Sequence, residues 1–206
     1  MRKIVLQEFL TLDGLAAGPS GNVDFVPAAT EGDKSFGREQ KKLLENVDTI
    51  VLGRVTYEMF AGYWPKVTKG KEKAFADKLN SIPKIVFSKT LKSAPWGDWE
   101  DAKVVKNSPV KELAKLKRQS GKNMIIWGSI SIAQAAIIAG LIDEYRLVTC
   151  PIVLGSGMPL FLNKVDSFGL KLLESKSFDL GAVQLKYRND PKKKIGKKRT
   201  AASGSK

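Results

Sequence analysis

Histidine is absent from this chain of 206 residues, and cysteine occurs once, as Cys150. Serine and cysteine hydrolases of the common kind need an imidazole base, and most catalytic zinc sites need imidazole ligands. A single cysteine also excludes an internal disulfide and a cysteine-rich zinc site. Any proton transfer must therefore come from a carboxylic acid, a tyrosine, a lysine or water, and we expect no metal.

Long apolar runs are lacking as well. No stretch of the sequence approaches the roughly 18 apolar residues that a membrane-spanning helix requires. The segment Met1–Leu6 lacks the long apolar core and the cleavage site of a signal peptide, and it fits a first β-strand instead. These absences, together with the lone cysteine, predict a cytoplasmic protein without membrane association.

Positive charge is concentrated at the carboxyl end. Residues 191–206 hold seven basic residues and no acidic one, which is half of the formal net charge of +14. We predict one folded domain over residues 1–190 and a disordered basic tail over 191–206. The tail either remains solvated or makes weak, non-specific contacts with nucleic-acid phosphates. The remaining positive charge of the domain suits an anionic ligand.

Strand-like and helix-like patterns alternate over the first two thirds of the chain. The short apolar runs predicted as buried strands are Ile4–Phe9, Thr49–Leu52, Lys84–Ser88, Lys103–Lys106 and Asn123–Trp127. The segments with helical spacing are Asp33–Glu45, Tyr57–Ala61, Glu72–Leu79, Val110–Gln119 and Ile130–Ala139. Ser108 before Pro109 suggests a helix start, and Gly121 and Gly140 suggest helix ends. The alternation predicts a mostly parallel sheet with helices on both faces.

The pattern changes near the end of the domain. Three strand-like runs follow one another without a helix: Glu144–Val153, Lys171–Phe178 and Ala182–Arg188. The short segment Asp179–Gly181 joins the last two as a tight hairpin. We therefore predict a three-layer α/β fold whose sheet has about eight strands and an antiparallel hairpin at its end.

Two strand-to-helix turns could bind a phosphate. Gly53 and Gly128 each follow a buried strand, and each precedes a segment that begins a helix. A glycine lets the backbone approach a ligand, and the N-terminus of a helix attracts anions. Arg54 and the hydroxyl of Thr56 could pair with a phosphate, although Thr56 could equally be an ordinary N-cap. The end of the third strand, at Ser88, adds hydroxyl groups and a lysine.

These residues belong to a set of motifs that resembles the dihydrofolate-reductase-like superfamily. The motifs are Thr11-Leu12-Asp13-Gly14, Gly53-Arg54-Val55-Thr56-Tyr57-Glu58, Val86-Phe87-Ser88-Lys89-Thr90-Leu91, Gly128-Ser129, Gly140-Leu141-Ile142-Asp143-Glu144-Tyr145, and Pro151 to Gly157 followed by Pro159-Leu160-Phe161. Over residues 1–188 the chain is similar to stand-alone relatives of the reductase domain of bacterial riboflavin biosynthesis. The resemblance implies a dihydrofolate-reductase-like fold.

The resemblance also implies NADPH as the cofactor, with hydride passed to a C=N or C=O bond. Transferred to matching positions, Gly53, Arg54 and Thr56 would bind cofactor phosphates. Ser88 and Leu91 would lie beside the adenosine half, and Gly128, Ser129 and Ile130 would approach the pyrophosphate and the nicotinamide half. The family further implies a homodimer.

Asp13 is the candidate for catalysis and for substrate binding, because it follows the first strand and precedes Gly14. A carboxylate there could orient an amino-pyrimidine or a sugar hydroxyl, or protonate the reduced atom through water. Asp13 could instead be a plain turn residue. Phe161 could stack on the substrate or belong to the core. Glu8 and Asp24 are weaker candidates for substrate chemistry.

Two departures from the family bear on the substrate. Trp127 occupies a position before Gly128 where many relatives have glycine, and the segment Gly21–Pro27 lacks the Pro-Trp pattern of true dihydrofolate reductases. The resemblance as a whole implies an NADPH-dependent reductase of a small heterocyclic or sugar-derived compound, of pteridine or ribosylamino-pyrimidine type. The alternatives are a non-catalytic nucleotide-binding protein of the same fold and nucleic-acid association through the tail.

Overall fold

A computed structural model describes residues 1–163 and 165–190 of the chain. Its strands are β1 (Ile4–Leu10), β2 (Leu15–Ala17), β3 (Val47–Gly53), β4 (Lys84–Phe87), β5 (Lys103–Val105), β6 (Asn123–Trp127), β7 (Glu144–Thr149), β8 (Met158–Pro159), β9 (Leu170–Ser177) and β10 (Val183–Asn189). Its helices are α1 (Phe25–Thr30), α2 (Lys34–Glu45), α3 (Arg54–Tyr63), α4 (Lys73–Ser81), α5 (Pro109–Lys117) and α6 (Ile130–Ile138), with a 3-10 helix at Trp64–Lys66. The predicted basic tail lies outside the described residues.

The main sheet of the described residues has eight strands in the order β5-β4-β3-β6-β1-β7-β10-β9. The six strands from β5 to β7 pair in parallel, and β10 pairs antiparallel with both β7 and β9. This confirms the predicted mostly parallel sheet with an antiparallel end. Because β1, β3, β4 and β6 run in the same direction, their carboxyl ends lie along one edge of the sheet, where open α/β sheets bind ligands.

Side chains of β1 alternate between two apolar layers, as the period of a strand requires. Ile4 and Leu6 belong to a buried cluster with Ala133 of α6. Val5 belongs to a second cluster with Leu44 of α2. Since helices cover both faces of the sheet, the three-layer prediction is also confirmed.

Several boundaries differ from the sequence-based prediction. α3 begins at Arg54 with Gly53 as its N-cap, so the interpretation of Thr56 as N-cap is wrong. β7 ends at Thr149, and not at Val153 as predicted, because Pro151 has no N–H for a ladder and the chain turns there. Gly140 ends α6 as predicted: with φ of 63° it lets Leu141 N–H donate to Ala136 O.

Some elements were not predicted at all. The strands β2 and β8 have three and two residues, and they pair with each other in a small second sheet. α1 contains Pro27 and has only six residues, which are too few for a helical period to be recognised in the sequence. These elements border the site described next. No helix of the described residues is long and apolar enough to span a bilayer.

Candidate functional site

A large cleft lies where the parallel strands end. Its volume is about 1620 Å³, and its lining includes the turns after β3, β4 and β6, the end of β1, and parts of α2 and α3. Ligand pockets in proteins usually measure about 300–1,000 Å³. The cleft is therefore large enough for two ligands side by side.

The two predicted phosphate turns meet at the centre of this cleft. The N–H of Gly53 donates to Ser129 Oγ at 2.9 Å, which ties the start of α3 to the start of α6. Gly128 and Ser129 both have left-handed backbone conformations, with φ of 57° and 61°. Neither α3 nor α6 has a side-chain cap, so N–H groups of their first turns lack acceptors within the helices. Two helix N-termini thus offer adjacent donors to an anion.

Thr56 lies beside the junction of the two turns. It is buried inside the first turn of α3, and a Cβ placed on Gly128 would lie 3.5 Å from Thr56 Cγ2. A side chain at position 128 would also be strained because of the positive φ. Thr56 therefore lies within van der Waals reach of position 128, where the backbone conformation favours glycine.

Arg54 lies on the rim of the cleft. Its side chain is 47% exposed, and Nη1 donates to both carboxylate oxygens of Glu58 at 2.9 and 2.8 Å. An incoming phosphate would compete with this surface ion pair. Such exposed pairs contribute roughly 0.2–1 kcal/mol, so they are exchanged at little cost.

After the end of β4, Ser88 lines the cleft, whereas Leu91 does not. Ser88 Oγ accepts the N–H groups of Thr90 and Leu91 at 3.2 and 3.1 Å, which closes a tight turn after β4. Leu91 packs against the core cluster on the α2 side of the sheet. The structure thus brings Gly53, Arg54, Thr56, Ser88, Gly128, Ser129 and Ile130 together along one cleft.

Asp13 and Phe161 do not line the cleft. The carboxylate of Asp13 accepts the Thr11 hydroxyl at 2.5 Å and the Gly155 N–H at 2.8 Å. The Thr11 hydrogen bond is the main cause of the lowered pKa of Asp13, and the Gly155 N–H adds to it. This geometry favours the turn interpretation of Asp13, as a link between two loops. Phe161 is partly exposed, and its ring centroid lies 6.4 Å from that of Tyr145.

Aromatic side chains form one wall of the cleft. Trp127 packs edge to face against Phe60 and Phe75, with ring centroids 5.9 and 6.1 Å apart. Trp64 extends the wall, with its ring centroid 5.1 Å from that of Phe75. The indole at position 127 is thus buried within this wall. An apolar, aromatic wall of this kind suits a planar ring system.

Glu8, which the sequence made a weaker candidate than Asp13, is a carboxylic acid that the structure buries at the cleft. It lines the cleft, is only 4% exposed, and its Oε2 has no hydrogen-bond partner among the described residues. Burial raises the pKa of Glu8 to about 8, against a small lowering by the Phe9 N–H. The carboxyl is therefore mostly protonated at pH 7. The available signal was the alternation of Ile4, Leu6 and Glu8 on one face of β1.

Comparisons with known proteins agree with this fold. The model of the RibD C-terminal domain family matches residues 2–183. Two uncharacterized proteins of Bacillus subtilis strain 168 are similar over most of their length. YyaP is 33% identical over 187 residues, covering 90% of this chain and 94% of its own; YwjB is 30% identical over 189 residues, covering 90% and 97%. The chain belongs to the RibD C-terminal domain family.

Solved structures extend the comparison. A protein from Shewanella sp. PV-4, described as a riboflavin biosynthesis protein, is 26% identical with a TM-score of 0.69, covering 91% of this chain and 99% of its own. The diaminohydroxyphosphoribosylaminopyrimidine deaminase/5-amino-6-(5-phosphoribosylamino)uracil reductase of Thermotoga maritima is 13% identical with a TM-score of 0.63, covering 92% of this chain and 57% of its own. Dihydrofolate reductase from Enterococcus faecalis, 13% identical, has a TM-score of 0.58, with coverage of 91% and 96%. The latter two likenesses define the fold, which is dihydrofolate-reductase-like as predicted.

Proposed function

We propose that this protein is an NADPH-dependent reductase of a planar heterocycle, of ribosylamino-pyrimidine or pteridine type. The observation that carries the proposal is the hydrogen bond from Gly53 N–H to Ser129 Oγ, which holds two helix N-termini together above the ends of adjacent strands. Paired N-termini in a cleft of about 1620 Å³ suit a dinucleotide and leave room for a second ligand.

The residues of the cleft fit such a cofactor. The backbone N–H groups that follow Gly53 and Ser129 would hold its phosphates. Gly128, which has no side chain, would let the backbone come close to these phosphates. Arg54 and Lys89 on the rim would favour the additional phosphate of NADPH over NADH. When bound, the cofactor supplies a hydride. The aromatic wall of Phe60, Trp64, Phe75 and Trp127 would orient the ring that accepts it.

Replacing Arg54 with alanine is expected to raise the dissociation constant for NADPH about tenfold, with a smaller effect for NADH. A hydrogen bond to a charged group contributes roughly 1.5–3 kcal/mol, and part of this is lost to the existing pair with Glu58. Quenching of tryptophan fluorescence should report binding, because Trp127 lines the cleft.

The matched control is Lys73→Ala, which breaks a similarly exposed i,i+4 pair with Asp77 away from the cleft lining. This variant should bind NADPH as the unmodified protein does. Absence of NADPH and NADH binding by the unmodified protein would contradict the proposed function and favour a non-catalytic protein of this fold.

We also propose that the protein is a homodimer, as the family resemblance implies. The strand β9 is at the edge of the main sheet, and Leu172 and Leu173 on it are 49% and 45% exposed. Edge strands with exposed apolar side chains favour association. Sedimentation equilibrium of the full chain should give twice the chain mass, and Leu172→Lys should shift the equilibrium toward the monomer. A monomer at all concentrations would contradict the proposal.

A further inference from the structure

We propose that Glu8 is the catalytic acid of the reduction, delivering a proton to the substrate atom next to the carbon that receives hydride. The assignment rests on the proposed reductase function and places the proton donor in the cleft lining, which does not include Asp13. It is based on where Glu8 lies and on the absence, among the described residues, of a hydrogen-bond partner for Oε2 and of a nearby counter-charge.

Glu8 lies on the central strand, beside the second phosphate turn. β1 is between β6 and β7, and the N–H of Gly128 donates to Gln7 O at 3.0 Å. The residue after Gln7 is therefore next to the point where the chain leaves β6 and begins α6. On the other side, Glu8 pairs in register with Leu147 of β7. This position belongs to the lining of the cleft, beside the Gly128–Ser129 turn.

The carboxyl group is poised for a ligand. Its Oε1 accepts a long hydrogen bond of 3.3 Å from the N–H of Phe9, and its Oε2 is buried without a partner among the described residues. Buried polar groups in native proteins are nearly always hydrogen-bonded, and a catalytic role is one explanation for an exception. A nitrogen or oxygen atom of a bound substrate would complete the hydrogen bonding of this carboxyl.

Within residues 1–163 and 165–190, no counter-charge holds Glu8 in its ionised form. Its strand neighbours, Leu147 and the Gly128 turn, are uncharged. The cations of the cleft lie on other elements, and none forms an ion pair with Glu8 within the described residues; they are Lys34, Arg38, Lys41, Arg54, Lys71 and Lys89. The other acids of the lining are Glu31, Asp33 and Glu72. Burial alone therefore keeps the proton on Glu8, with the pKa near 8.

The atoms and electrons of the reduction balance when the reduced nicotinamide is the hydride donor. As the carbon of a C=N or C=O bond gains the hydride, the electron pair of that bond moves to the nitrogen or oxygen. Glu8 gives its proton to this atom, so the substrate gains two hydrogens in all. The carboxylate that remains recovers a proton from water when the product leaves.

The first measurement follows the protonation of Glu8 directly, in the protein with and without NADPH. With ¹³C-labelled glutamate carboxyl groups, one resonance should titrate with a midpoint near pH 8 and be missing from Glu8→Gln. A Glu8 resonance that titrates near the ordinary glutamate value of about 4.3 would overturn the assignment.

The second measurement is oxidation of NADPH with 5-amino-6-(5-phosphoribosylamino)uracil and with a dihydropteridine as substrates. Glu8→Gln should bind NADPH within about threefold of the unmodified protein, and its turnover should fall roughly 10²- to 10⁴-fold, the range of general acid catalysis. Glu8→Asp should recover part of the rate, and turnover of the unmodified protein should decline above pH 8. The control Glu45→Gln changes an exposed glutamate outside the cleft lining and should leave turnover unchanged.

The outcomes of these measurements distinguish the proposed role of Glu8 from the proposed reductase function. Turnover that persists in Glu8→Gln would overturn the role of Glu8 and leave the reductase proposal standing. Absence of NADPH oxidation by the unmodified protein with either substrate would count against the reductase proposal and, with it, the role of Glu8.

Discussion

Glu39→Gln is expected to lower the free energy of unfolding by about 3–5 kcal/mol, the range for breaking a buried ion pair. Glu39 Oε1 lies 2.9 Å from Arg146 Nη2, and Glu39 Oε2 lies 2.9 Å from Lys176 Nζ. The Arg146 side chain is only 5% exposed, so it depends on this carboxylate and on Gln184 for compensation. The variant leaves a buried guanidinium with only the more distant Glu144 carboxylate, 3.9 Å from Arg146 Nη1, as counter-charge among the described residues. Urea denaturation at pH 7 measures the effect.

The pH dependence of stability provides a check on the cause. Burial opposes ionisation of Glu39, but hydrogen bonds from Lys176 and Arg146 outweigh it and lower the pKa to about 2. The contribution to stability is therefore present above about pH 4.5 and is lost as the pH falls toward 2. This part of the acid destabilisation should be missing from Glu39→Gln.

The control for Glu39 is Asp77→Asn, which breaks the exposed Lys73–Asp77 pair on α4. An exposed i,i+4 pair contributes about 0.3–0.5 kcal/mol, so the change should be small. Equally small effects of the two substitutions would mean that the ion pairs of Glu39 with Arg146 and Lys176 contribute little to the free energy of unfolding.

Glu8→Gln is expected to act in the opposite direction and to raise the free energy of unfolding at pH 8 by on the order of 3 kcal/mol. In the folded protein burial raises the pKa of Glu8 from 4.5 to about 8. Between these values the unfolded chain has released the proton and the folded chain has kept it. Stability is therefore highest below about pH 4.5 with respect to this group, and it falls as the pH rises toward 8.

The decisive observation for Glu8 is the difference between two stability curves measured from pH 5 to 8.5. Glu8→Gln should gain on the unmodified protein as the pH rises, while Glu45→Gln should follow the unmodified protein throughout. Parallel curves for Glu8→Gln and the unmodified protein would show that Glu8 is ionised in the folded state.

The two glutamates illustrate what controls a buried carboxyl. Glu39 on α2 and Glu8 on β1 are 7% and 4% exposed, and their pKa values move in opposite directions. In the described part of the chain, Glu39 has two cationic partners, whereas Glu8 has only a backbone N–H. Opposite charges thus decide whether a buried acid is ionised.

Much of the candidate site follows from local patterns in the sequence. A strand that ends in Gly53 or Gly128 and continues into a helix is visible from the period of the apolar residues. Parallel strands then bring these ends to one edge of the sheet. Within the structure the two turns are joined by a single hydrogen bond of 2.9 Å. The same reasoning could not distinguish Asp13 from Glu8, because both are carboxylates near the end of β1.

The sequence by itself determined the order along the chain of the main-sheet strands and of helices α2 to α6, the antiparallel end of the sheet and the two glycine turns, because these depend on the period and propensity of neighbouring residues. Only the tertiary structure decided which carboxyl lies in the cleft and which charges are paired. Arg146 and Glu39 are 107 positions apart in the chain, and Asp13 and Gly155 are 142 apart. Burial and hydrogen bonding depend on such distant neighbours, which local periodicity does not encode.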